Sequence, residues 1–234
     1  MDIAANIASL RERIAAASAR AGRDPASVTL MAVSKNQPPD AVRAALDAGL
    51  MCFGENRVQE AKAKIPLCPN RAQWQMIGHL QSNKCRDAVA LFSMIQSVDS
   101  LALALELNQQ CEKAAKTMPI LLEVNVAGEG TKFGYGPAAL LAEFGELSKL
   151  PRLEIHGLMT IAPYTPTPER VRPVFHRLCE LKAECEQLLG APLPQLSMGM
   201  SGDFEVAIEE GATLVRIGTA LFGARPRRAE SVAE

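Results

Sequence analysis

The sequence predicts an α/β fold: one (β/α)8 barrel of the TIM type spanning residues 1–234, with an extra helix at its front. Three observations predict it. Short apolar runs alternate with longer helical patterns almost to the end, which implies parallel strands joined by helical crossovers. Eight such units can be read, many for an open sheet and the number a closed barrel needs. The chain has 234 residues, 48% of them hydrophobic, and no Pro/Gly-rich linker divides it; barrels of this kind run to roughly 250 residues.

The elements follow in order. Ile3, Ile7, Leu10 and Ile14 recur at helical spacing, so the N-terminal segment reads as an amphipathic helix packed on the body. "SVTLMAVS" is the first strand and "PDAVRAALDAGL" its helix, with Pro39 near the start and Gly49 near the end. "MCFGEN" and "RVQEAKAKI" form the second unit. "QWQMIGH" and "SNKCRDAVALF" form the third, with Ser82 as its expected N-cap. "SMIQSV" and "SLALALELNQQCEKAAKT" follow, then "PILLEVNV" and "GPAALLAEFGELSKL". "LEIHGLMT" leads through the long loop "APYTPTPE" into the helix "TPERVRPVFHRLCELKAECEQLLG". "PQLSMG" with "DFEVAIEEG", and "TLVRIGT" with the turn "ALFG", complete the count.

Composition excludes several classes. Acids (26) and bases (25) balance to a net charge of −1, so no basic excess marks a nucleic-acid binder. The basic tail "ARPRRAESVAE" reads as a solvated terminus. Six cysteines, at 52, 68, 85, 111, 179 and 185, form no CxxC and have no histidine at zinc-ligand spacing. They read as free thiols of a reducing cytosol, and no metal site is expected. The N-terminal segment lacks the unbroken apolar core of a signal peptide, and no stretch is apolar enough to span a membrane. The expected location is the cytoplasm.

In a barrel of this kind, function gathers where strands hand over to helices. Those segments here are "SK", "GEN", "GH", "SVDS", "NVAGEGTKFGYG", "MTIAPY", "MGMSGD" and "RIGTA". Two carry a specific signal. Gly199, Ser201 and Gly202 precede the seventh helix, and Gly218 and Thr219 precede the last turn. Glycine admits a ligand to the backbone, and a helix start offers unpaired N–H groups with partial positive charge. Loops after strands seven and eight are the usual phosphate site of the fold. Asp203 is a negative charge close by and is read as a helix cap.

Lys35 alternates with Met31 and Val33, so it points into the top of the barrel, and Pro38 and Pro39 force the chain out at once. Most lysines keep their heads in water. A lysine at the strand end that faces a phosphate site instead suggests a Schiff base with an aldehyde. It must then reach its neutral amine; lowering its pKa by about two to three units corresponds to roughly 3–4 kcal/mol. Arg216, inward-facing with Leu214 and Gly218, is the expected nearby cation, while Lys84 and Lys132 are rivals that end no strand. Phosphate and aldehyde together make pyridoxal 5′-phosphate the economical ligand. A sugar-phosphate aldolase, colourless when pure, stays open on these residues alone.

From "AVSK" through "FGENRVQE", "IGHLQSNK", "VNVAGEGTKFGY", "HGLMTI" and "LSMGMSGDFEVAIEEGATLVRIGTALFG", the chain resembles the pyridoxal phosphate homeostasis protein (YggS-type) family. The resemblance covers nearly the whole length. It implies a monomeric or weakly associating barrel similar to the N-terminal domain of alanine racemase, holding the cofactor as a Schiff base on Lys35. It places Asn56 beside the ring, Ser201, Gly202, Gly218 and Thr219 on the phosphate, and Arg216 at the pyridine nitrogen. It also implies a role in buffering and delivering pyridoxal phosphate, with pyridoxal-phosphate-dependent apoenzymes as partners.

The residues speak against strong catalysis. An arginine keeps its proton and only hydrogen-bonds the pyridine nitrogen, which weakens the electron sink. A two-base racemase needs a second proton carrier, and Tyr135 and Tyr164 both read as loop packing residues. His79 and His156 read as hydrogen-bonded residues of the barrel wall, and His176 lies within a helix. A carrier without catalytic residues is therefore expected, with a low-activity amino-acid racemase as the alternative.

Overall fold

The computed structural model describes residues 2–223; the basic tail lies outside the described residues. Eight parallel strands close into a barrel in chain order: β1 (Thr29–Val33), β2 (Cys52–Glu55), β3 (Gln73–Met76), β4 (Met94–Val98), β5 (Met118–Glu123), β6 (Leu153–Met159), β7 (Gln195–Ser197) and β8 (Leu214–Ile217). β1 closes on β8 with Met31 opposite Arg216, and on β2 with Ala32 opposite Phe53. The strands are nearly continuous apolar runs because helices cover their outer face while the barrel's own filling covers the inner one.

The helices are α1 (Ile3–Arg20), α2 (Pro39–Asp47), α3 (Val58–Lys64), α4 (Cys85–Leu91), α5 (Leu101–Lys113), α6 (Pro137–Leu147), α7 (Arg172–Leu189), α8 (Phe204–Glu209) and α9 (Thr219–Phe222). α1 is the predicted extra helix. Asp2 caps it by accepting from the Ala5 N–H, and Ile7, Leu10 and Ile14 are buried where it packs on α2, α8 and α9. In α7, Phe175, Leu178, Leu181 and Cys185 line one buried face, as 3.6-residue periodicity requires. Each large side chain so buried contributes about 1.5–3 kcal/mol.

The barrel is filled from within by two small apolar groups. Met31, Cys52, Ile77 and Leu214 form one, and Met94, Leu121 and Met159 the other. Methionine adapts to the irregular space between the strands. Gly157 is required where β6 passes β7, since a Cβ there would lie 1.8 Å from the Gln195 carbonyl oxygen.

Several boundaries differ from expectation. β1 stops at Val33, because Ser34 to Gln37 form a turn with Asn36 at φ 62°. Ser82 caps nothing: it opens a short 3-10 turn whose flanking residue is Gln81. The long helix expected from Thr167 begins as a 3-10 turn over Pro168–Val171, and α7 starts at Arg172, where Pro173 fits the first turn without an N–H. β7 is only three residues long; Gly199 takes φ 91°, ending the strand and turning the chain towards the barrel mouth. The six cysteines are unpaired, and burial pushes Cys52, Cys85 and Cys185 up to about 12. No helix is long and apolar enough to cross a membrane among the described residues.

Candidate functional site

At the C-terminal mouth of the barrel lies a cavity of about 260 Å³. Lys35, Asn56, Ser201, Gly202, Arg216, Gly218 and Thr219 all line it, so the seven residues singled out in the sequence come together. They arrive from four strand ends, β1, β2, β7 and β8.

Lys35 is half-buried. It sits in the turn after β1 rather than in the strand, so its direction follows from turn geometry and not from alternation. The Gln37 N–H closes this turn on the Ser34 carbonyl at 3.0 Å. Asn36 tolerates the left-handed conformation better than most residues, and Pro38 and Pro39 then start α2 with extended and helical φ already set.

Arg216 lies deep in the cavity wall, 4% exposed. It donates to the Ser197 hydroxyl at 2.6 Å and to the Thr160 carbonyl at 2.7 Å. Ser197 in turn donates to Gln96 Oε1 at 2.6 Å, and the Gln96 amide donates to Gln75 Oε1 at 2.6 Å. Arginine only donates, so every hydrogen in this chain across the barrel is directed away from it. Burial pushes Arg216 down to about 10, while the charges of Glu123 and Asp203 oppose the shift; it keeps its proton at neutral pH.

The phosphate-type loops are joined to each other. Ser201 Oγ accepts from the Ala220 N–H in α9 at 3.2 Å, tying the β7 loop to the β8 loop. Asp203 stands at the start of α8 without capping it; its carboxylate accepts from the Met200 N–H at 2.6 Å and so shapes the loop. Burial raises its pKa, and that bond and Arg216 act against the rise.

Gly202 and Gly218 face the cavity without being forced by the fold. A Cβ at Gly202 meets nothing within 4 Å, and one at Gly218 meets only Val33 at 3.5 Å or beyond. The Asn56 Oδ1 atom is buried without a partner in the same wall. An amine, a fixed guanidinium, an orphaned amide oxygen and two glycine turns that leave the backbone open fit a flat, phosphorylated aldehyde.

The rival lysines stand elsewhere. Lys132 pairs with Glu129 at 2.7 Å and reaches the Ile161 carbonyl at 3.4 Å, and Lys84 lines a neighbouring cleft with Asn56, Arg57 and His79. Tyr135 packs in the core at 5% exposure, as expected of a loop packing residue. Tyr164 does not: it is 95% exposed at the cavity rim, because the Pro/Thr-rich loop carries it away from any packing surface. His79 is half-exposed at the mouth, hydrogen-bonded to Asp99 at 3.0 Å and stacked on Phe133 at 3.6 Å between ring centroids. His156 is half-buried, 3.4 Å from Glu154.

The alanine racemase N-terminal domain family matches residues 5–226. The pyridoxal phosphate homeostasis protein of Aquifex aeolicus is 44% identical over 226 residues, covering 96% of this chain and 99% of that one. The chain belongs to the pyridoxal phosphate homeostasis protein family. Another relative, PipY of Synechococcus elongatus PCC7942, has been solved with PLP bound. It is 42% identical, with a TM-score of 0.83 over 94% of this chain and all of that one. Alanine racemase of Clostridium difficile 630 shares the fold, with a TM-score of 0.71 at 15% identity; the match spans 57% of its length.

Sequence reasoning passed over several polar groups that lie beside this site. Gln75, Gln96 and Ser197 sit within strands, where a polar residue at an inward position in an apolar run was the available signal. Glu55, Glu60 and Lys64 lie in "GENRVQEAKAK", where a charge at a strand end and charges on a short helix look solvated.

Proposed function

We propose that this chain binds pyridoxal 5′-phosphate at the barrel mouth and serves intracellular homeostasis of that cofactor, holding it and giving it up rather than transforming a substrate. The observation that carries this reading is the convergence of Lys35, Arg216 and both glycine loops on one cavity. The bound cofactor supplies an aldehyde that condenses reversibly with primary amines, and a ring that withdraws electrons when its nitrogen is protonated.

Lys35 provides the amine. Gly202, Gly218 and Thr219 provide backbone at the two loops where the phosphate rests, with Ser201 locking one loop to the other. Asn56 presents its unpartnered oxygen beside the ring. Arg216 would meet the pyridine nitrogen as a donor that keeps its own proton near neutral pH, which weakens the ring as an electron sink without abolishing it. Tyr164, at 95% exposure, is solvated rather than set against a ring face. These features favour a carrier over a racemase, and the curated relatives are named for homeostasis, not for a reaction. Delivery to apoenzymes in the cytoplasm, by a monomer, completes the reading.

The test is reduction with borohydride in the presence of pyridoxal phosphate, followed by peptide mapping. The expected result is a modified Lys35 and a visible absorbance that Lys35→Ala abolishes while remaining folded. Label on another lysine, or an unchanged spectrum in the variant, would refute the assignment.

A further inference from the structure

Beneath the Lys35 turn lies a buried ionic cluster that the proposed binding does not itself require. Lys64, the last residue of α3, has a side chain only 6% exposed. Its ammonium donates to Glu55 Oε1 at 2.7 Å, to Glu60 Oε1 at 2.9 Å and to the Ser34 carbonyl at 2.7 Å, using all three of its hydrogens. Glu55, fully buried at the end of β2, also accepts from the Ser34 hydroxyl at 2.7 Å. Glu60 accepts from the Asn36 N–H at 2.5 Å.

These bonds end on the two residues that flank Lys35. Ser34 is held through its hydroxyl, its carbonyl and its N–H, the last donated to the Gly54 carbonyl at 3.1 Å. Asn36 is held through its N–H while its φ of 62° departs from the ordinary range. A left-handed residue persists where its surroundings over-determine it. Taking a lysine and two glutamates largely out of water is costly unless geometry and extra hydrogen bonds compensate. A surface pair could not fix a turn so tightly.

We propose that Lys64, with Glu55 and Glu60, is a positioning residue for Lys35: it clamps the main chain on both sides and so aims the reactive amine into the cavity. The inference rests on the reading that Lys35 forms the covalent link. A rigid supporting shell of this kind is what precise placement of a reactive group demands. Misplacement alone is sufficient to slow a reaction of well-oriented groups by orders of magnitude.

The experiment compares two ligands on the intact protein. Pyridoxal 5′-phosphate can link to an amine; pyridoxine 5′-phosphate has an alcohol in place of the aldehyde and cannot. The ratio of their affinities reports the linking step, while the second affinity alone reports the pocket. Lys64→Met keeps the stem and removes the ammonium. The expected result is a ratio lowered by about tenfold or more, with pyridoxine 5′-phosphate affinity held within about twofold. A folded variant with an unchanged ratio, or with both affinities falling together, overturns the proposal. If Lys64→Met does not fold, Glu60→Gln decides: it is partly exposed, and its ratio must fall by about threefold or more, an unchanged ratio overturning the proposal equally. Wild-type protein that traps no label on Lys35 would sink the underlying reading instead, so the two failures are told apart.

Discussion

Glu123→Gln is the most informative single change near Arg216. Glu123 ends β5, 6% exposed, and one carboxylate oxygen lacks a partner. Burial pushes its pKa from an ordinary 4.5 up to about 7, with the Asp99 charge adding and the Arg216 charge opposing. In the unfolded chain the carboxyl ionises near its ordinary value; in the native protein it holds its proton longer. The stability from this group is therefore fully present below about pH 4.5 and is lost as pH rises to about 7. A tenfold change in proton affinity between the two states corresponds to roughly 1 kcal/mol, so between about pH 5 and about pH 8 the loss is roughly 2–3 kcal/mol. Glutamine keeps the shape and cannot ionise. Urea unfolding of both proteins at the two pH values should show the variant gaining roughly 2–3 kcal/mol on wild type as pH rises. A difference that is the same at both pH values would refute the reasoning and return Glu123 to an ordinary solvated acid. The consequence for the site is electrostatic: with its pKa raised by burial, the Glu123 carboxyl compensates the Arg216 charge less than an ordinary carboxylate would.

Three further outcomes follow from the same geometry. Gly218→Ala should fold with stability within about 1 kcal/mol of wild type, since the methyl has room against Val33, yet bind pyridoxal phosphate about tenfold more weakly by calorimetry because it occupies the cradle. Ser197→Ala should cost about 1–3 kcal/mol in denaturant unfolding, because it orphans both a buried Arg216 N–H and Gln96 Oε1, and it should shift the bound cofactor's absorbance. Incubated with amino acids in deuterated water, the loaded protein should show no α-carbon exchange at turnover rates, and exchange at such rates would overturn the carrier reading.

The barrel was legible because each strand and helix obeyed its own period, and eight such units leave few arrangements. The cavity residues were legible for a related reason: strand ends share one face in this fold, so Lys35, Gly202, Gly218 and Thr219 could be gathered without coordinates. What escaped was anything set by single residues of backbone. Alternation carried β1 through to Lys35, while the real strand stops at Val33 and Asn36 turns left-handed. Ser82 looked like a cap, but it is the first residue of the 3-10 turn through which the chain enters α4, and no side chain caps either element. Tyr164 looked like packing, and its loop holds it in solvent. Lys64 resembled any basic residue closing a helix, because nothing local reveals that Glu55, nine residues back, is buried beneath it.

Arg216 and Lys35 line one cavity, and the printed bonds hold the guanidinium of the first and the main chain on either side of the second. Arg216 is held by its own donors: the guanidinium is engaged by Ser197 and Thr160, and the relay through Gln96 to Gln75 makes any rotation break several bonds at once. A group that only presents a fixed charge loses nothing by such restraint. The cluster around Lys64 acts instead on the main chain at Ser34 and Asn36, setting where the Lys35 side chain begins. A lysine whose root is held in this way can move its amine without disturbing the pocket wall, which is what the proposed exchange of partners at Lys35 needs.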